Sequence, residues 1–175
     1  MTQSNFNQCL TIVLQEEGGY SNNPHDIGGI TNLGVTKTSW EEYVGHAVSI
    51  TDMKSLTLEK VAPFYHDTMW NKMQCDNVPT GLDLCIFDFA VNGGASRSAK
   101  FLQILVGATK DGSIGPTTLS LINSYVSKNG IKVAILQFQE MRREYYQSLS
   151  NPTFIKGWLA RVDKIQFEAL KMINH

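Results

Sequence analysis

A single glycine-rich stretch, residues 18–35, divides a sequence whose other segments carry the apolar spacing of helices. The stretch reads GGYSNNPHDIGGITNLGV and holds five of the chain's 14 glycines, with short apolar runs between Asn, Pro and Gly. Glycine and proline at this density end helices and favour turns. The pattern predicts a mainly α fold with one small β-hairpin near the N-terminus.

The segment before this stretch predicts an amphipathic helix over residues 5–17. Its apolar side chains recur at helical spacing, at Phe6, Cys9, Leu10, Val13 and Leu14. At about 100° per residue, Glu17 falls within about 20° of the centre of the apolar face, whereas Glu16 points to one side. Glu17 is therefore the carboxylate that we expect to face inward.

The remaining segments also predict helices. Two predicted starts, at residues 38–42 and 55–59, combine Ser or Thr with Glu, which is typical of a helix N-terminus. Pro63 should kink or restart the second of these helices. The later helices are predicted after Pro79 up to about Asn92, over Arg97 to Val106, from Pro116, over Ile131 to Tyr146 and after Asn151-Pro152.

Composition and charge exclude several classes of protein. A formal net charge of −1 argues against a protein that binds nucleic acid by neutralising phosphates. No apolar run approaches the roughly 20 residues that span a bilayer, so we expect no stable membrane insertion. The N-terminus lacks the basic start and apolar core of a signal peptide. The three widely spaced cysteines, Cys9, Cys75 and Cys85, favour reduced core thiols over a disulfide framework.

Glu17 and the residues after it could supply the two groups that glycoside hydrolysis needs. Burial and the negative end of a helix both favour a protonated carboxyl group, which suits the acid that protonates the leaving oxygen. Asp26 follows nine residues later, so a hairpin could bring the two carboxylates face to face. Thr31 could hold a water through its hydroxyl. The alternative is that Asp26 and Thr31 only stabilise the turn.

The stretch EGGYSNNPHDIGGITNLGVT, residues 17–36, resembles the catalytic signature of glycoside hydrolase family 108, the phage-type muramidases. The signature has Glu-Gly-Gly-Tyr, an Asp before Gly-Gly, and a Thr followed by a Gly-Ile or Gly-Val pair. This resemblance implies that Glu17 is the catalytic acid and that Asp26 and Thr31 position or activate water. Direct attack by that water would invert the anomeric configuration. Ile27 departs from the family pattern, in which Pro is common there.

The resemblance continues through the rest of the chain. Further matching motifs are Phe87 to Asn92, Leu102-Gln103, Asp111-Gly112, Ile114 to Pro116, Gly157-Trp158 and Arg161-Val162. They imply a lysozyme-like catalytic region over residues 1–78 and a helical peptidoglycan-binding region over residues 79–175, which we expect to pack as one globular unit.

Three further residues are candidates for substrate binding, each with a structural alternative. Tyr20 could line a sugar subsite or simply cover the hairpin. Asp88 and Asn92, four residues apart in an apolar segment, could contact glycan or satisfy buried hydrogen bonds. His25 beside Asp26 lacks further His or Cys ligands at suitable spacing, so no metal site is expected.

The family resemblance implies an endolysin that hydrolyses the β-1,4 bond between N-acetylmuramic acid and N-acetylglucosamine in bacterial peptidoglycan. It implies no cofactor. We expect a monomeric phage product that is made in the host cytoplasm and depends on a holin to reach the cell wall at lysis. The alternatives are a non-catalytic peptidoglycan-binding or secretion-assisting protein, a lytic transglycosylase and a chitinase.

Overall fold

The computed structural model describes residues 4–23 and 28–174 of the chain. The described helices are α1 (Phe6–Leu14), α2 (Lys37–Val44), α3 (Ile50–Lys54), α4 (Leu58–Tyr65), α5 (Leu82–Gly93), α6 (Ala95–Val106), α7 (Pro116–Asn129), α8 (Ile131–Ser148) and α9 (Ile155–Met172). The described strands are β1 (Ser21–Asn22), β2 (Ile30–Asn32) and β3 (Val35–Thr36). The chain divides into a smaller unit, residues 6–68, and a larger unit, residues 1–5 with 69–175.

The strands of the smaller unit form an antiparallel sheet in the order β1-β2-β3. Thr31 lies opposite Ser21 on one side and opposite Thr36 on the other, so β2 is the central strand. A two-residue turn, Leu33-Gly34, joins β2 to β3. The predicted mainly α fold with a small β-hairpin is therefore confirmed, and the hairpin carries one additional short strand.

Helix α1 is shorter than predicted. Its apolar face is buried as expected, but the helix ends at Leu14 rather than at Glu17. The Glu16 amide bonds back to the Val13 carbonyl at 3.0 Å, a tighter turn that closes the helix ahead of the glycine pair. Glu17 therefore lies beyond the helix, in the segment that leads to β1.

The three short helices after the sheet depend on side-chain caps at their N-termini. Thr36 caps α2 by accepting from the Ser39 amide, and Ser49 forms a reciprocal capping box with Asp52 at α3. Helix α4 continues through Pro63, where the sequence predicts a kink or restart. Its end leads into a π-helical turn, His66–Trp70. Such turns occur frequently at functional sites.

The larger unit is built around α5. Every residue from Leu82 to Ala90 is buried, and the helix packs against α6, α8 and α9. A helix that is buried on all sides needs this surrounding cover. The three cysteines are buried and free, as predicted for core thiols. No described helix is both long enough and apolar enough to span a bilayer.

Candidate active site

The Glu17 side chain packs against the turn between β2 and β3. A Cβ atom built on Gly34 would lie 2.9 Å from Cγ of Glu17 and 3.0 Å from its Oε2. Real side chains do not approach this closely, so the carboxylate occupies space that only a glycine leaves open. Glu17 is half-buried. The turn therefore forms part of the wall against which the predicted acid is held.

The turn itself has an uncommon backbone. Leu33 and Gly34 both have positive φ, at 50° and 77°, as in the type I′ turns that suit two-residue hairpins. Glycine adopts this conformation freely, whereas leucine does so rarely. The hydroxyl of Tyr65 donates a hydrogen bond to the Leu33 carbonyl at 2.7 Å. Tyr65 thus ties the end of α4 to the turn beside Glu17.

Thr31 is held at the centre of the sheet. Adjacent residues of a strand point to opposite faces, and the next residue, Asn32, donates its amide to the Met53 carbonyl of α3 at 2.8 Å. Thr31 therefore projects from the face opposite α3, where it is half-buried. A Cβ atom built on Gly28 would lie 3.5 Å from the methyl group of Thr31.

Of the other residues predicted for this region, the structure describes Tyr20 but not Asp26 or His25. Asp26 and its neighbour His25 lie outside the described residues. Tyr20 is half-buried just before β1, and the Lys54 ammonium lies 5.1 Å from its ring centroid. Across the described ranges, no group of three or more His, Cys, Asp or Glu residues could hold a metal ion.

Asp88 is at the centre of a buried charge network in the larger unit. Its carboxylate is 0% exposed and accepts from Arg161 at 2.8 Å through Nη2 and 3.0 Å through Nε. Arg142 places Nη2 at 2.7 Å from the other carboxylate oxygen. The two arginines bind both oxygens of the carboxylate, and no part of Asp88 reaches the surface. The geometry therefore favours a structural role for Asp88, in buried hydrogen bonds, over contact with glycan.

Asn92 lies at the half-buried end of the same helix and receives a hydrogen bond from the Tyr146 hydroxyl. The direction of this bond follows from its neighbour: Nε of Arg142 donates to the Tyr146 oxygen at 3.3 Å, and a guanidinium has no acceptor. The Tyr146 proton is thereby directed to Oδ1 of Asn92. This leaves the Asn92 amide nitrogen as the group that could donate to a ligand.

Comparisons with known proteins identify the family of this chain. The profile of the family described as Glycosyl hydrolase 108 matches residues 10–94. A solved structure titled "Structure of Brucella abortus SagA" is 34% identical, with 96% of this chain and 95% of that chain covered and a TM-score of 0.83. The chain belongs to the glycosyl hydrolase 108 family. No functionally curated protein matches it.

Family membership makes the chain a glycoside hydrolase of a group that acts on peptidoglycan. It also confirms the predicted lysozyme-like fold, in which a mainly helical chain carries a small antiparallel sheet. The matched range contains Glu17, the whole sheet and α5, whereas Arg142, Tyr146 and Arg161 lie outside it. The glycosyl hydrolase 108 match thus covers the Glu17 region but only one helix of the buried network.

Sequence patterns predict Glu17 and Thr31 as site residues, but they give no indication of the contact that Tyr65 makes with the turn. Tyr65 lies 32 residues from the carbonyl that it binds, and no local periodicity connects them. A weak signal was present in Leu33-Gly34, since a glycine at the second position of a two-residue loop between apolar runs favours a type I′ turn. Leucine at the first position obscured that signal.

Proposed function

We propose that this glycosyl hydrolase 108 protein cleaves the β-1,4 bond between N-acetylmuramic acid and N-acetylglucosamine, with Glu17 as the general acid. The observation that carries the proposal is the half-buried Glu17 carboxyl group, which packs against the Gly34 turn inside the range that the family profile matches. A general acid must be held within hydrogen-bond reach of the leaving oxygen, and packing against the turn restricts where the Glu17 carboxyl group can lie.

The other site residues take the roles that the family resemblance implies. Glu17 protonates the glycosidic oxygen as the sugar gains positive charge. Asp26 and Thr31 position or activate the water that attacks from the opposite face, which inverts the anomeric configuration. Tyr20 lines a sugar subsite. Asn92 donates its amide to an acceptor on the glycan, such as a hydroxyl or an N-acetyl carbonyl.

The biological setting follows from the same resemblance. The protein acts as a monomeric phage-type endolysin on bacterial peptidoglycan and causes lysis of the host cell. It is made in the host cytoplasm and reaches the wall through a holin. It uses no cofactor.

The test compares Glu17→Gln with the matched control Glu16→Gln on purified peptidoglycan. The two glutamates are adjacent and both half-buried, so the variants differ mainly in which carboxyl group is lost. Removal of a general acid should lower the rate by about 10²- to 10⁴-fold, whereas Glu16→Gln should stay within about threefold of wild type. Circular dichroism checks that both variants are folded.

The chemistry of the product ends decides the bond and the reaction. Released fragments are reduced with borohydride and analysed by mass spectrometry, and reduced muramic acid ends support a muramidase. Anhydro-muramic ends would instead show that the reaction is lytic transglycosylation and not hydrolysis. A fully active Glu17→Gln variant would contradict the assignment of the acid. A folded wild-type protein that binds peptidoglycan without releasing fragments would favour the binding-protein alternative.

A further inference from the structure

We propose that Tyr65 is a positioning residue for Glu17: its hydroxyl fixes the strained turn against which the acid packs. The inference rests on the proposed role of Glu17 as general acid. It extends that role to a residue on another element, because Tyr65 ends α4 whereas Glu17 precedes β1.

The first step is the strain in the turn. Leu33 is one of three non-glycine residues with positive φ among those the structure describes, the others being Gln74 and Ser150. A leucine in this region places its Cβ close to the backbone carbonyl, which costs energy that the surrounding structure must offset. Without an external contact, the Leu33-Gly34 turn would relax toward a less strained conformation.

The second step is the contact that opposes this relaxation. The Tyr65 hydroxyl donates to the Leu33 carbonyl at 2.7 Å, and that carbonyl belongs to the peptide group linking Leu33 to Gly34. Its orientation therefore sets the direction in which the chain enters Gly34. Tyr65 is 2% exposed, and its ring makes an edge contact with Phe64 at 5.3 Å between centroids. The donor is thus held by a packed helix end.

The third step connects the turn to the acid. The position that a Cβ would occupy on Gly34 lies 2.6 Å from the Tyr65 hydroxyl and 3.0 Å from Oε2 of Glu17. Both side chains converge on the surface that glycine leaves open. A shift of this turn would therefore change where the Glu17 carboxyl can lie. Catalysis is sensitive to such shifts, since a misplacement of about 1 Å can cost about 10²-fold in rate.

The experiment compares Tyr65→Phe with the matched control Tyr43→Phe. Each change removes one hydroxyl from the smaller unit, and the Tyr43 hydroxyl donates to the exposed Asp67 at 2.9 Å. On soluble, uncross-linked glycan strands, Tyr65→Phe should lower kcat by roughly 10- to 100-fold and leave KM within about twofold. Tyr43→Phe should leave both constants within about twofold.

A second background separates positioning from general stabilisation. Asn-Gly is the preferred sequence of a type I′ turn, so Leu33→Asn should hold the turn without help from Tyr65. In a Leu33→Asn background, the loss of kcat on Tyr65→Phe should shrink to less than about threefold, because the strain has been removed. The effect of Tyr65→Phe is expressed as a ratio of kcat values within each background. Comparing these two ratios cancels any direct effect of Leu33 on the substrate.

The outcomes distinguish this inference from the proposed function. If Glu17→Gln is inactive but Tyr65→Phe behaves like Tyr43→Phe, the positioning role is overturned and the acid assignment stands. If Tyr65→Phe loses the same kcat in both backgrounds together with stability, its role is only structural, which also overturns the inference. If Glu17→Gln is fully active, the proposed function itself fails.

Discussion

Two tyrosine hydroxyls support candidate site residues in different physical ways. In the smaller unit, Tyr65 donates to the backbone carbonyl of a strained turn. In the larger unit, Tyr146 donates to the side chain of Asn92 while accepting from the buried Arg142. The first contact controls the shape of a backbone segment, and the second belongs to a charged network in the core. Substitutions near Tyr65 should therefore lower mainly the catalytic activity, whereas substitutions near Tyr146 should lower mainly the free energy of unfolding.

The charged network buries more positive than negative charge, and other contacts must offset this excess. Two arginines share the single carboxylate of Asp88, and the Arg142 side chain is fully buried. The Arg142 guanidinium also lies 4.8 Å from the Phe89 ring centroid and 5.5 Å from that of Tyr146. These rings attract a cation through their electron-rich faces. The network thus combines ion pairing with aromatic contacts across α5, α8 and α9.

The largest effect that tests the comparison is expected for Asp88→Asn. This change leaves two buried arginines without a carboxylate, which should lower the free energy of unfolding by about 3–5 kcal/mol. The matched control is Asp163→Asn, which removes an ion pair of equal 2.7 Å length to Arg143 from a carboxylate that is 67% exposed. Exposed pairs contribute about 0–1 kcal/mol. Urea unfolding followed by circular dichroism measures both, and equal losses would refute the special role of the buried network.

The next effect is a difference in activity between two glycine variants whose backbone strain is similar. Gly34→Ala adds a Cβ at 2.6 Å from the Tyr65 hydroxyl and strains a φ of 77°, so we expect about a 10²-fold loss of activity. Gly45→Ala is the control, since its φ is 78° and a Cβ there meets nothing within 4 Å. Both variants should lose about 1–2 kcal/mol of stability from the backbone strain. Similar activity losses in the two variants would show that strain, rather than displacement of Glu17, limits catalysis.

The two regions also differ in how far the sequence predicts them. Helices α5 to α9 follow from apolar periodicity and from Pro or Gly at their ends, as at Pro116. The five-residue helix α3 is too short for periodicity, although its Ser49 and Asp52 form a capping box. The spacing and the motif predict Glu17 as the acid, and that assignment stays a prediction. They do not predict that Glu17 lies beyond the end of α1, because apolar periodicity extends past the residue at which hydrogen bonding stops.

Contacts between distant residues were beyond local sequence patterns. Asp88 is 73 residues from Arg161, and nothing in either segment identifies the other as its partner. The sequence does establish that a carboxylate in an apolar helix needs a partner, which was the reason for the structural alternative. It cannot select that partner, because tertiary packing brings α9 to α5. The same limit applies to Tyr65 and Leu33.

The smallest expected effect concerns Tyr146 and its dependence on pH. Tyr146→Phe removes the hydroxyl that links Arg142 to Asn92, which should cost about 1 kcal/mol at neutral pH. Burial raises the pKa of the Tyr146 phenol, and the neighbouring Arg142 only partly opposes this. The unfolded chain therefore ionises first, near pH 10, and the stability that the neutral phenol contributes is lost as the pH rises further.

The difference in stability between wild type and Tyr146→Phe should consequently narrow above about pH 10, because phenylalanine has no proton to release. Urea unfolding at pH 7 and at about pH 10.5 measures this narrowing. Tyr125→Phe serves as the control for loss of a hydroxyl that bonds to Gln137 at the surface, and its effect at pH 7 should stay within about 0.5 kcal/mol. A stability difference that widens with pH would mean that the folded state favours the ionised phenol. The positive charge of Arg142 would then outweigh burial in setting the pKa of Tyr146.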